Sequence, residues 1–219
     1  VSTRVGPVLA SDIGVKITIA GTGGHAAFPH LGTDPILCAA NVITSMQQIV
    51  SRNTDPLDSL VVSLTQIHGG TTHNIIPSSV EITGTIRFLQ DSTGEMAKRR
   101  VKEIAESIAI AHNCSAEVTL KHGYPVTRND KHAVAQFFEI AEQVLPKEHV
   151  TEFPAPVMGG EDFSYYCKEV PSCFFMLGLL PEGQEKMPSL HQPDFDFNDD
   201  VIARGIKMFC ELALRYRGS

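Results

Sequence analysis

No apolar stretch in the 219 residues approaches the roughly 18 consecutive positions that a membrane-spanning helix needs. No signal-like start is visible either, and the chain opens at Val1 without a methionine, as expected of a fragment. Basic runs are missing: 18 Lys and Arg stand scattered against 25 Asp and Glu, giving a formal charge of -7. That balance argues against nucleic acid or an anionic membrane surface as partner. There is no CxxC pair, which removes the usual structural zinc site, and no HExxH, which removes the zincin motif. The five cysteines (Cys38, Cys114, Cys167, Cys173, Cys210) are odd in number, widely spread and mostly in apolar company. They read as reduced core fillers of a cytoplasmic protein.

What is present is ample material for a core, 42% hydrophobic residues in a length that suits one large or two small domains. Val5 to Ala10 and Ile13 to Ala20 read as strands, the second with Ile13, Val15, Ile17 and Ile19 alternating against smaller or polar residues. Asp34 followed by Pro35 predicts a helix start, with an apolar stripe at Ile36, Ala40, Ile43, Met46 and Val50. Strands follow at Leu60 to His68 and Ser79 to Leu89, then a helix at about Glu95 to Ala111 and a strand at Cys114 to Lys121. The order β-α-β-β-α-β is the ferredoxin-like split βαβ pattern, an α+β unit with a four-stranded antiparallel sheet and two helices on one side. Such a sheet leaves a face or an edge for a partner.

Near Tyr124 to Asn129 the pattern changes. A helix is expected from about Asp130 to Leu145, a short strand near Glu152, an apolar run at Cys173 to Leu179, a loop over Leu180 to Phe197, and a last helix from about Asn198 to Arg215. These pieces make a poor independent α/β domain and read as the tail of a larger one.

Candidate chemistry sits in loops. His25 and His30 lie five apart in the glycine-rich stretch GTGGHAAFPHLGTDP, either as ligand-facing imidazoles or as surface histidines on a turn. Asn74 in GGTTHNIIP and Arg87 in TGTIRFL are an amide and a guanidinium suited to hold a carboxylate or polarise a carbonyl; the plainer reading of Arg87 is an edge-strand ion pair. Glu161 and Asp162 in MGGEDF follow two glycines, where an acid caps a helix or faces a pocket. His191 in LHQPDFDFND, with Asp194 and Asp196 nearby, suits a metal ligand, a general base or an ordinary surface position.

GTGGHAAFPHLGTDPI, GGTTHNIIPSSVEITGTIRFL, MGGEDFSYY and LHQPDFDFND occur together and in this order. In that combination the chain resembles the aminoacylase, hippurate hydrolase and indole-acetyl-amino-acid hydrolase family of di-metal amidohydrolases, and within it the N-acyl-amino-acid branch. The resemblance implies a zinc-peptidase-like α/β catalytic domain interrupted by a ferredoxin-like lid that pairs two subunits. Residues 8–124 would be the lid, and 1–7 with 125–219 part of the catalytic domain. It further implies two divalent metals (zinc, manganese, cobalt or nickel) and an N-acyl amino acid or peptide substrate. His191 would be the last metal ligand and His25 the lid histidine that stabilises the oxyanion in a neighbouring subunit's site. Asn74, Arg87 and His30 would contact substrate, with Glu161 and Asp162 around the pocket. The remaining metal ligands and the catalytic glutamate have no match here, so the chain alone is expected to bind metal weakly and hydrolyse nothing. Rival readings are a non-catalytic dimerisation or small-molecule-binding module, and a dipeptidase or carboxypeptidase of the same family.

Overall fold

The computed structural model describes residues 1–181 and 183–217; Glu182, Gly218 and Ser219 lie outside the described residues. In chain order the elements are β1 (Ser2–Thr3), β2 (Gly6–Leu9), β3 (Ser11–Ala20), β4 (Gly24–His25), α1 (Pro35–Gln48), β5 (Leu60–His68), β6 (Ile75–Ile76) and β7 (Ser79–Phe88). They continue with α2 (Asp91–Ala111), β8 (Ser115–His122), β9 (Thr127–Asn129), α3 (Lys131–Val144), β10 (Thr151–Glu152), α4 (Tyr166–Glu169) and α5 (Ile202–Arg215).

The chain divides into two compact units. One holds residues 9–126 and 158–162; the other holds 1–8, 127–157 and 163 onward. The five-residue segment 158–162 therefore belongs with the first unit, a return of the chain that the sequence bounds do not anticipate.

The first unit is a four-stranded antiparallel sheet in the order β5-β7-β3-β8, the ferredoxin-like arrangement. Alternation does the sorting: Ile13, Val15, Ile17 and Ile19 of β3 and Val80, Ile82 and Ile86 of β7 all point into one core with α1 and α2. One irregularity lies between Leu64 and Gln66, where the β5–β7 register shifts by a bulge.

Two helix expectations are corrected. The buried face of α1 is Pro35, Cys38, Ala39, Val42 and Met46, while Ile36, Leu37 and Ala40 are exposed. Six consecutive apolar residues open this helix, so periodicity leaves its rotation open; the face that turns inward is that of Cys38, Ala39, Val42 and Met46. Helix α2 starts at Asp91, ahead of Gly94. Gly94 acts there as a packing residue, since a Cβ would sit 2.4 Å from the Phe88 ring.

In the second unit α3 is capped by Asp130, whose Oδ1 accepts the N–H groups of His132 and Ala133. Phe137, Ala141, Leu145 and Met208 form a small core with Phe175 and Leu212 against them. The apolar run at 173–179 makes an isolated antiparallel bridge between Ser2 and Met176, on the edge of β1 away from its parallel partner β10. Asn198 caps a 3-10 turn at Asp199–Val201 that leads into α5, accepting from Asp200 N–H at 3.1 Å.

Candidate functional site

β4 and β6 form a two-residue antiparallel ladder, with Gly24 opposite Ile76 and His25 opposite Ile75. Ala26 N–H donates to Asn74 C=O at 3.0 Å, so the two motif loops are stitched side by side and His25 and Asn74 are brought together. At the neck of the histidine loop Thr22 and Thr33 exchange bonds, each backbone N–H reaching the other's hydroxyl at 2.8 and 2.9 Å. Glycine is required here: Gly23 has φ of 62°, and a Cβ on Gly32 would lie 2.2 Å from Gly23 C=O.

His25 Nδ1 accepts the Ala27 N–H at 3.0 Å. A neutral ring so bound carries its proton on Nε2, which is left as an exposed donor. The Thr72 hydroxyl donates to Asn74 Oδ1 at 3.1 Å, which turns the carboxamide's donor end away from Thr72. His30 lies in the 3-10 turn Pro29–Leu31 of the same loop, edge-on to Phe28 at 6.5 Å. A cavity of about 660 Å³ borders the ladder, lined by Thr22, Gly24, His68, Thr71, Ile75 and Glu81 among others.

Arg87 is elsewhere. β7 pairs with β3 from Ser79 opposite Ala20 to Arg87 opposite Asp12. At ~3.3 Å per residue the eight steps between Ser79 and Arg87 span ~26 Å. One chain thus places Arg87 and Asn74 at opposite ends of the sheet, against the expectation that they hold one group together. The Arg87 Nη1 donates to Met158 C=O at 3.1 Å, and Ala10 N–H donates to Gly159 C=O at 2.8 Å. These bonds fix the start of the MGGEDF motif beside Arg87. The plainer reading of Arg87 as an edge-strand ion pair also fails, since β7 is a central strand and the guanidinium serves a backbone carbonyl.

Glu161 takes a backbone amide at the turn that follows, its Oε1 accepting from Asp162 N–H at 3.1 Å. His191 is exposed and holds φ of 68°, a left-handed conformation that a non-glycine residue adopts only where its turn imposes it. Among the described residues no group of three His, Cys, Asp or Glu side chains is placed to hold a metal ion. The described donor set therefore does not amount to a metal centre, since such a centre needs three or four protein ligands. Nor do the buried Cys38 and half-buried Cys167 and Cys173 offer a nucleophile at neutral pH: burial pushes Cys38 and Cys173 up to about 11 and raises Cys167.

Phe28 and Ile75, the apolar neighbours of His25, escape sequence reasoning. The signal for Phe28 is its place inside HAAFPH; Ile75 acquires meaning only through the ladder register. No helix among the described residues is long and apolar enough to cross a membrane.

Comparison with known proteins agrees with this architecture. The peptidase dimerisation domain of the M20 type matches residues 11–113. IAA-amino acid hydrolase ILR1-like 4 of Arabidopsis thaliana is 39% identical over 221 residues, covering 99% of this chain and 50% of that protein. N-acetyldiaminopimelate deacetylase of Enterococcus faecalis is 39% identical over 210 residues, covering 94% of this chain and 53% of that protein. A dinuclear metal-binding peptidase of the M20 family from Bacillus subtilis superposes with a TM-score of 0.77 at 26% identity, covering 97% of this chain and 52% of that one. The chain spans about half the length of the curated relatives it matches. The chain carries a peptidase dimerisation domain of the M20 type at residues 11–113, and over nearly its whole length it is similar to amide hydrolases and to a peptidase of the M20 family.

Proposed function

We propose that the full-length protein hydrolyses the amide bond of N-acyl amino acids in a homodimer. This chain then contributes the lid, at about residues 8–124, and part of the catalytic domain. The observation that carries the reading is the separation of two half-sites on one sheet. His25 and Asn74 stand at one end; Arg87 and the MGGEDF motif stand at the other. No small substrate touches both within one chain. A two-fold pair solves this, because an isologous contact brings the His25 end of one copy to the Arg87 end of its mate.

A surface suited to such pairing exists. Among the described residues β5 pairs only with β7, which leaves its other edge open, and α1 exposes Ile36 and Leu37. In the assembled site Arg87 pairs with the substrate carboxylate, and its guanidinium fork suits that partner. Asn74 and His30 contact the acyl-amino-acid backbone from the other copy, with Glu161 and Asp162 at the pocket margin. His25 donates Nε2–H to the carbonyl oxygen as it becomes an oxyanion. His191 is the ligand this chain brings to a two-metal centre of zinc, manganese, cobalt or nickel, whose other ligands and general base come from elsewhere in the protein. Bound metal supplies Lewis-acid chemistry at the scissile carbonyl.

Mixing subunits tests the reading. In the full-length protein, His25→Ala and Arg87→Ala homodimers should each be nearly inactive. Random re-pairing should restore about a quarter of parental activity, since half the dimers are mixed and each has one intact site of two. Mixed dimers without recovered activity would sink the shared site. A panel of N-acyl amino acids and dipeptides separates the amidohydrolase from a peptidase of the same family.

A further inference from the structure

Phe28 has no place in the core: 54% of its surface is exposed, and its ring lies against the two loop histidines. Its ring centroid lies 5.4 Å from that of His25, tilted by 51°, and its N–H donates to His25 C=O at 2.9 Å. Ile75, directly opposite His25 on the ladder, is 53% exposed. Side chains directly opposite in an antiparallel pair share one face, so Ile75 shares a face with the imidazole that the Phe28 ring lies against. From Gly24 to Leu31 the loop has no titratable side chain except its histidines. Large apolar groups left exposed around a polar donor mark a contact surface for an apolar ligand group.

We propose that Phe28, assisted by Ile75, is a specificity-determining residue that packs against the acyl group of the substrate and selects aryl or arylalkyl acyl groups over acetyl. This rests on the reading in which His25 donates to the scissile carbonyl. A donor within about 3 Å of that oxygen puts the first acyl carbons within about 5 Å of the imidazole. Phe28 stands at that same distance from the ring. An acetyl group offers the aromatic face a single methyl, whereas a benzoyl or indoleacetyl group lays a ring against it, in the offset or tilted geometry that aromatic pairs favour. From Gly24 to Leu31 the loop carries no lysine or arginine to serve an acidic acyl chain as counter-charge.

The test uses the full-length dimer, with N-acetyl, N-benzoyl and N-indoleacetyl derivatives of one amino acid. Phe28→Ala should lower kcat/KM for the two aryl-acyl substrates by about tenfold or more and leave the acetyl substrate within about twofold. Phe28→Leu should fall between. Sedimentation of each variant reads the assembly directly. A uniform loss across all three acyl groups, or loss of the dimer in Phe28→Ala, overturns the assignment and makes Phe28 a general positioning or interface residue. A parent enzyme that hydrolyses none of the three overturns the amidohydrolase reading and this assignment with it.

Discussion

His25 Nδ1 accepts the amide of Ala27, two residues along its own loop, which leaves the ring's other nitrogen as the donor of an exposed side chain. A base at that position would need a free lone pair, whereas Nε2–H offers a proton to share. Removing such a donor from an oxyanion costs on the order of 10²–10³ in kcat. His25→Ala in the full-length protein should show that loss with metal content unchanged. Parallel steady-state kinetics and elemental analysis check both; unaltered turnover rules the donor role out.

Leu37 is 54% exposed on the outer face of α1, beside Ile36 at 46%. If this face meets a second copy, Leu37→Glu buries a charge at the contact and should weaken dimerisation by tenfold or more, an effect on the order of 1.4 kcal/mol. The melting temperature of the lid should barely move, because the side chain is not in its core. Sedimentation equilibrium alongside thermal melting distinguishes a broken interface from a broken fold.

His191 is the single metal ligand proposed for this chain. His191→Ala in the full-length protein should reduce bound metal and raise the concentration needed to restore activity after chelation. The 219-residue chain by itself should bind zinc weakly, since its described residues assemble no cluster of ligands. Tight stoichiometric zinc on the isolated chain, measured by calorimetry, would contradict this.

The thiols should divide by burial. Cys210 is exposed and should react first with a disulfide reagent, while Cys38 and Cys173, pushed up to about 11, should react last. The same shifts couple to stability. A thiol with its folded pKa above the unfolded value binds its proton more firmly in the native state. Its contribution is complete below the unfolded pKa and is lost as pH rises through the window up to about 11. Urea midpoints should therefore fall between about pH 8.5 and 11. Cys38→Ser should lessen that slope; an identical slope in the variant excludes Cys38 as its source.

Much of the lid is legible in the sequence. Ile13, Val15, Ile17 and Ile19 alternate, and alternation alone puts them on one sheet face. Asp34 before Pro35 announces α1, and the Asp34 carboxylate caps it through the Ile36 and Leu37 amides at 2.9 and 3.1 Å. The rotation of α1 is not legible, because apolar residues lie on both of its faces and the choice depends on the surface beneath. Gly94 reads as a helix boundary because its purpose, room for Phe88, lies outside its own segment.

The four linked motifs, all local in sequence, determined the family resemblance and the residues worth watching. Tertiary structure decided which of them meet. Asn74 and His25 are 49 positions apart in the sequence yet share a ladder, whereas Asn74 and Arg87, 13 positions apart, are separated by the length of β7. A strand carries chain away at ~3.3 Å per residue, and a ladder brings distant chain back to hydrogen-bonding distance. Composition and spacing hold no record of that exchange, so the division of the candidate site into two ends came from the register, whereas the pairing of two subunits was already implied by the motifs.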